Sequence, residues 1–322
     1  MHATERRVLF FDLVIKKLGK STHVPPLADL LSVWQEHKDA DKAFHYRQRG
    51  DVLYQINDMH IDEDSASATM LISVIDRRMA DVAYGDLDTR KTKILKKADR
   101  EGNNHSAHMV MSLKPHKADT YLCMLESVSR VGAAHIQYLL NHLMRNEYKV
   151  KESRFSFPHP GGVRERNGQP KRINFLPLIR LGGHPSPSLI KDIENGRIRH
   201  VSLIEGREKT PFGDDPYLVE ETYQLTLGVK QDIPAEGRWE RLKGVFASHR
   251  GDYTEGRISF VDPHNSPKTV EFDLDNMNLD AVQYIKYTIL SDINPPLAYA
   301  SERIVPHMEE RMLSILIGER GE

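Results

Sequence analysis

Apolar residues in this chain come in short runs, some of strand length and some at helical spacing, and never in the roughly 18 consecutive positions that a bilayer span requires. Short elements of both kinds are what such a pattern can build. VLFFDLVI is a continuous apolar run of strand length, and PPLADLLSVWQEHK follows with Leu27, Leu30, Leu31 and Trp34 at helical spacing behind Pro25 and Pro26. DVLYQINDMHID alternates Val52, Tyr54 and Ile56; an acidic turn and then TMLISVID complete a predicted hairpin. SAHMVMSL and TYLCMLES supply a second strand pair. RVGAAHIQYLLNHLMRN then sets Ile136, Leu140 and Leu143 on one helical face.

Beyond residue 173 the pattern starts again with INFLPLIRL and a short helix in SPSLIKDIENG, ended by Gly196 as a glycine cap. RHVSLIEG, LVEETYQLTLGV, GRISFVD and KTVEFDLD read as strands, the last two forming a hairpin across PHNSP. Helices are predicted at RWERLKGVFASHR, NLDAVQYIKYTIL and SERIVPHMEERMLSILI. In the last of these, Ile304, Val305, Met308, Met312, Ile315 and Leu316 make an apolar stripe suited to a core or a dimer surface, with Pro306 in the first turn. A length of 322 residues is about twice that of a common domain. The expected class is therefore α+β. Two mixed α/β domains, 1–146 and 173–322, are joined by a basic Pro/Gly-containing linker or loop at 147–172.

The chain carries 45 basic and 46 acidic side chains, but this balance is a cancellation. Residues 145–209 hold 14 basic and 7 acidic residues, whereas 210–322 hold 11 basic and 20 acidic. The basic excess includes Arg164, Arg166, Lys171 and Arg172, in a stretch rich in proline, glycine and asparagine. A second cluster, Arg90, Lys91, Lys93, Lys96, Lys97 and Arg100, is opposed within its window only by Asp99, and its spacing predicts a helix. Two readings apply to both clusters. They are solvated surface that pairs with acidic groups, or they are a phosphate-binding surface that displaces counterions from a nucleic-acid backbone without reading sequence. Few aromatics interleave with them, which argues against single-strand stacking.

Sixteen histidines raise the question of a metal site, with His105, His108, His116, His135 and His142 forming the densest group. His105 and His108 are three apart on a predicted strand and so project to opposite faces, and His135 and His142 lie two turns apart on a helix. No metal and no cofactor is expected, and His108 reads as a satisfied histidine in an apolar strand. A nuclease would need clustered carboxylates and a lysine to hold Mg²⁺, for which Asp192, Glu205 and Lys209, or Glu271, Asp273 and Asp275, are the candidates. Gly182 and Gly183 precede serines that open a helix, where either an anion or a simple cap would fit. GxSxG, GK[ST] and HExxH motifs are absent, so no catalytic residue is assigned. The single cysteine, Cys123, sits in the apolar run TYLCML and reads as a buried, inert thiol. With no signal peptide read at the N-terminus, a cytoplasmic chain is expected.

GRISFVDPHNSPKTVEFDLDNMNLDAVQYIKYTILSDINPPLAYASERIVPHMEERMLSIL, with the alternation of strand, basic segment, strand and helix over 68–144, resembles the phage exclusion proteins related to RexA. The likeness is one of element order and carries no residue across. It implies a two-domain cytoplasmic DNA-binding protein that forms a homodimer and excludes phage together with a protein partner, in some cases a membrane protein. The expected function is nonenzymatic, sequence-tolerant DNA binding in a phage-defence or mobile-element system. A metal-dependent nuclease of such a system and a protein-interaction subunit are the alternatives.

Overall fold

A computed structural model describes residues 2–16, 24–117, 119–159, 161–211, 219–230, 234, 236–249, 252–274, 278–279 and 284–320. The class is mixed α+β, as expected. The chain divides into two compact units: Met1–Leu181 together with Thr288–Glu322, and Gly182–Tyr287. The C-terminal segment falls in the same unit as the N-terminal residues, and so does all of 147–172.

The first unit contains β1 (Arg6–Lys16), α1 (Leu27–Asp39), β2 (Phe44–Arg47), β3 (Val52–Asp62), β4 (Ser67–Asp76), β5 (Val82–Gly85), β6 (Thr92–Leu95), β7 (Asn103–Lys117), β8 (Thr120–Glu126) and α2 (Ala133–Val150). Strands β1, β8, β7, β4, β3 and β2 lie in that order in one sheet, and every one of these neighbouring pairs is antiparallel. The predicted hairpin is β3–β4, interrupted by a register shift between Ile56 and Asp58. The apolar run VLFFDLVI is continuous because β1 is buried on both faces, where a one-sided strand would alternate. Val8 and Phe10 meet Met308, Met312 and Leu316, and this assigns the C-terminal stripe to the core. α1 and α2 pack on each other, and the Trp34 indole N–H donates to the Leu140 carbonyl at 3.3 Å.

The rest of the chain supplies β9 (Ser156–Pro158), β10 (Arg172–Asn174), β11 (Leu178–Gly183), α3 (Pro187–Asn195), β12 (Arg197–Pro211), β13 (Val219–Gly228), α4 (Arg238–Ser248), β14 (Glu255–Val261), β15 (Pro267–Asp273), β16 (Asn278–Leu279), β17 (Tyr287–Leu290) and α5 (Pro306–Glu319). Strands β13, β12, β14, β15 and β16 form the antiparallel sheet of the second unit, with Trp239, Leu242 and Phe246 of α4 and Leu189 and Ile193 of α3 in its core. Pro306 occupies the first turn of α5. Gly196 does end α3, but with φ −82 rather than in the left-handed region. Glycine is required there for closeness, since a Cβ would overlap the Asp192 carbonyl and lie 2.5 Å from that of Val261.

Two predicted helices are corrected. NLDAVQYIKYTIL ends as strand β17, which pairs with β1, and residues 280–283 lie outside the described set. Tertiary pairing overrides the local spacing there. The lysine-rich segment 90–100 is also not a helix, because Thr92–Leu95 pairs with Val82–Gly85. No helix among the described residues is long and apolar enough to cross a membrane.

Candidate nucleic-acid interface

The β5–β6 hairpin is built locally. The Asp86 carboxylate accepts from the backbone N–H of Asp88 at 3.1 Å and of Thr89 at 2.6 Å, and from the Thr89 hydroxyl at 2.8 Å, which closes the turn as an Asx motif. The same bonds hold the Asp86 carboxyl below its usual range. Arg90 completes the turn in the left-handed region at φ 57. The register Val82↔Leu95, Tyr84↔Lys93 sets these four residues on one face of the ribbon, with Ala83 and Ile94 on the other. Every residue of both strands is exposed. The tip residue Leu87 is 96% exposed, and Tyr84 is 58% exposed. At the base, the Lys97 ammonium donates to the carbonyls of Arg77 and Met79, so one cation of the cluster anchors the ribbon. Arg90, Lys91, Lys93, Lys96 and Arg100 are exposed, and none is in an ion pair among the described residues.

The second predicted cluster lies in the same unit. Residues 161–172 are exposed throughout, and Arg164 bridges to Pro170 across a small turn. The Arg164 guanidinium donates to the Gly168 carbonyl at 2.7 Å, and that of Arg172 donates to the Ser156 hydroxyl at 3.0 Å. These bonds fix where the cations stand without neutralising them. Arg166 and Lys171 are exposed alongside. Lys151 and Arg154, a few residues earlier, behave differently. Lys151 pairs with Glu147 at 3.0 Å, and Arg154 reaches Glu36 at 2.9 Å and Glu147 at 3.2 Å. The hydrogen bond from Arg154 holds Glu36 below its usual pKa.

The histidines are distributed among several environments. In the buried interior, His108 Nε2 accepts from the Val305 N–H at 3.0 Å, so the ring proton is on Nδ1, which donates to Glu126 at 2.8 Å. Glu126 also receives the Arg6 guanidinium at 2.7 Å. Burial opposes the charge on Glu126, but the bonds from His108 and the charge of Arg6 outweigh it and lower its pKa. Both nitrogens of His108 are thus engaged, and it is the satisfied histidine that its strand position suggested. His116 faces Asp12 at 3.4 Å. His45 Nδ1 and His142 Nε2 are 3.1 Å apart in a cleft of about 660 Å³ between α1, β2 and α2, and Asn146 also donates to His142 Nε2 at 2.9 Å. Burial first, then the facing His45 and the charges of Arg145 and Lys149, push His142 down to about 4. Burial also raises the pKa of the Cys123 thiol well above its usual value.

Of the nuclease candidates, Asp192 and Glu205 lie on separate elements. Asp192 is in the last turn of α3 and Glu205 lies on β12, while the side chains of Lys209 and Asp273, and all of Asp275, lie outside the described set. Glu271 is taken by Arg257 at 2.6 Å. After Gly182 and Gly183, the Ser186 hydroxyl accepts from the Leu189 N–H at 3.2 Å, so the start of α3 is a simple cap. Comparison with known proteins adds no relative: no protein-family model, curated protein or solved structure matches this chain.

Proposed function

We infer that the chain is a nonenzymatic, sequence-tolerant DNA-binding protein whose first unit grips the duplex backbone through the β5–β6 ribbon and the 164–172 turn. The observation that carries this reading is the group of five exposed cations, Arg90, Lys91, Lys93, Lys96 and Arg100, on and beside a ribbon with both faces in water. A two-stranded ribbon is of a size that the major groove admits, and each Lys or Arg that meets a phosphate releases condensed counterions. An isolated hairpin is marginal by itself, and Val82, Tyr84, Leu87, Ile94 and Leu95 would gain by being covered. Arg164, Arg166, Lys171 and Arg172 extend the contact, while Lys97 holds the ribbon in place.

The second unit, with 18 acidic and 13 basic residues, supplies the surface for a protein partner. The likeness of the sequence to phage exclusion proteins suggests the setting of this activity, a cytoplasmic homodimer of a phage-defence or mobile-element system with a membrane protein as one form of partner. Fluorescence anisotropy with a labelled duplex of arbitrary sequence at low salt tests the reading. Binding of duplex in preference to a single strand is expected, and supercoiled plasmid incubated with Mg²⁺ should stay intact. A duplex that fails to bind at low salt would overturn it.

A further inference from the structure

A second feature of the first unit is independent of the ribbon. Three guanidinium groups, those of Arg47 from β2, Arg78 just past β4 and Arg130 just before α2, line one small cavity of about 130 Å³ together with Tyr54, Asp76 and His135. Asp76 is the only carboxylate in its wall and is bound in bidentate fashion by Arg78 at 3.0 and 2.9 Å. Arg47 lies over the Tyr138 ring at 4.4 Å and has no carboxylate partner, and neither has Arg130, among the described residues. With histidine neutral, the wall carries a net charge of +2. The His135 ring stacks on Tyr54 at 5.2 Å, and its buried Nδ1 has no hydrogen-bond partner. His135 also stands in the first turn of α2, whose N-terminus has neither a side-chain cap nor an acidic residue. Arg130 holds φ 74 in the tight turn closed by Val128 and Val131, a backbone position that glycine fills without steric cost.

We propose that this cavity is a binding site for a tetrahedral oxyanion, a free phosphate or the terminal phosphate of a mononucleotide, held by Arg47, Arg78 and Arg130 with His135 as a further donor. The cations converge from three elements and exceed the single carboxylate that could balance them. An unpaired donor pocket of this size matches an anion and not an apolar ligand. Burial first, then Arg47 and Arg130, lower the His135 pKa, and Tyr54, Asp76 and Arg78 complete the titratable and charged groups lining the cavity with it. A bound dianion opposes that lowering, so binding takes up a proton at His135.

The test is a titration of the full chain with inorganic phosphate and with adenosine 5′-monophosphate, followed by the NMR signals of the His135 ring at constant ionic strength set by chloride. A saturable shift and a raised His135 pKa are expected. Arg130→Gly removes a guanidinium while relieving the backbone, and should weaken binding about tenfold with the unfolding midpoint retained. Arg47→Gln provides a second variant with an ordinary backbone and should weaken binding similarly. Tighter binding of the nucleotide than of phosphate assigns the site to a nucleotide-borne group, and equal binding assigns it to free phosphate. No saturable shift up to about 10 mM, or both variants binding as the parent does, would overturn the proposal.

Discussion

The basic residues of the first unit look alike in composition, but the pair Lys151 and Arg154 and the segment 90–100 differ in how their charge is used. Lys151 and Arg154 are bonded to Glu36 and Glu147, so their charge is matched by carboxylates within the fold. From Arg90 to Arg100 the charges stand on a ribbon that buries nothing, and only Lys97 is bonded to backbone carbonyls. Charge available to a partner is what remains after the fold's own carboxylates have been served. Counted by compact units, the opposition between middle and C-terminal segments becomes 32 basic and 28 acidic residues in the first unit against 13 and 18 in the second.

Buried Arg6, Glu126 and His108 are the extreme case of matched charge, and breaking them should have the largest effect. Glu126→Gln leaves the Arg6 cation buried beside a neutral amide and should cost about 3 kcal/mol, read by urea unfolding. A loss under about 1 kcal/mol would show that water reaches this network. Next in size is the ribbon. Changing Arg90, Lys91, Lys93, Lys96 and Arg100 together to alanine should lower duplex affinity about 100-fold at moderate salt and leave the unfolding midpoint close to that of the parent. A large loss of stability would mean that these cations serve the fold after all.

A smaller effect concerns acid. His37, His45, His105, His135 and His142 all have pKa values lowered by burial, with His142 at about 4. Between the usual histidine value near 6.5 and about 4, the unfolded chain binds protons that the folded chain refuses. Stability is therefore full above about pH 6.5 and falls as pH drops through that window. His142→Asn should flatten the fall in urea midpoints measured between pH 7 and pH 4.5, and an unchanged profile would remove His142 from the account. The smallest effect is expected from Lys151→Ala with Arg154→Ala, a half-exposed network whose loss should barely move the urea midpoint and should change duplex binding by less than about twofold.

Much of the architecture was legible where periodicity and burial coincide. The alternation of Val52, Tyr54 and Ile56 gives β3, and the three- and four-residue spacing of Met308, Met312 and Leu316 gives the buried face of α5. The ribbon was not legible as a ribbon, because the lysines and Leu95 of KTKILKK are good helix formers and outnumber the β-branched Thr92 and Ile94. Its conformation is dictated by the Asp86 side chain and by pairing with Val82–Gly85, upstream of the charges that drew attention. Tyr287–Leu290 was misread for a related reason, since its pairing partner β1 is at the other end of the chain. Histidine counting pointed to His108 but could not supply Glu126 or the Val305 N–H, which settle its role. The arginine cavity was invisible for the same reason of distance, as Arg47 and His135 meet only in the fold.

The distinction between matched and available charge is tested most directly by the salt dependence of duplex binding. The logarithm of the association constant should be measured against the logarithm of salt concentration for the parent, the five-site ribbon variant and the Lys151→Ala, Arg154→Ala variant. Each phosphate contact contributes about 0.9 to the slope, so the ribbon variant, with five cations removed, should lose up to about 4.5 from it and the Lys151, Arg154 variant almost nothing. Equal slopes for the parent and the ribbon variant, or a larger loss from the Lys151, Arg154 variant, would contradict the account.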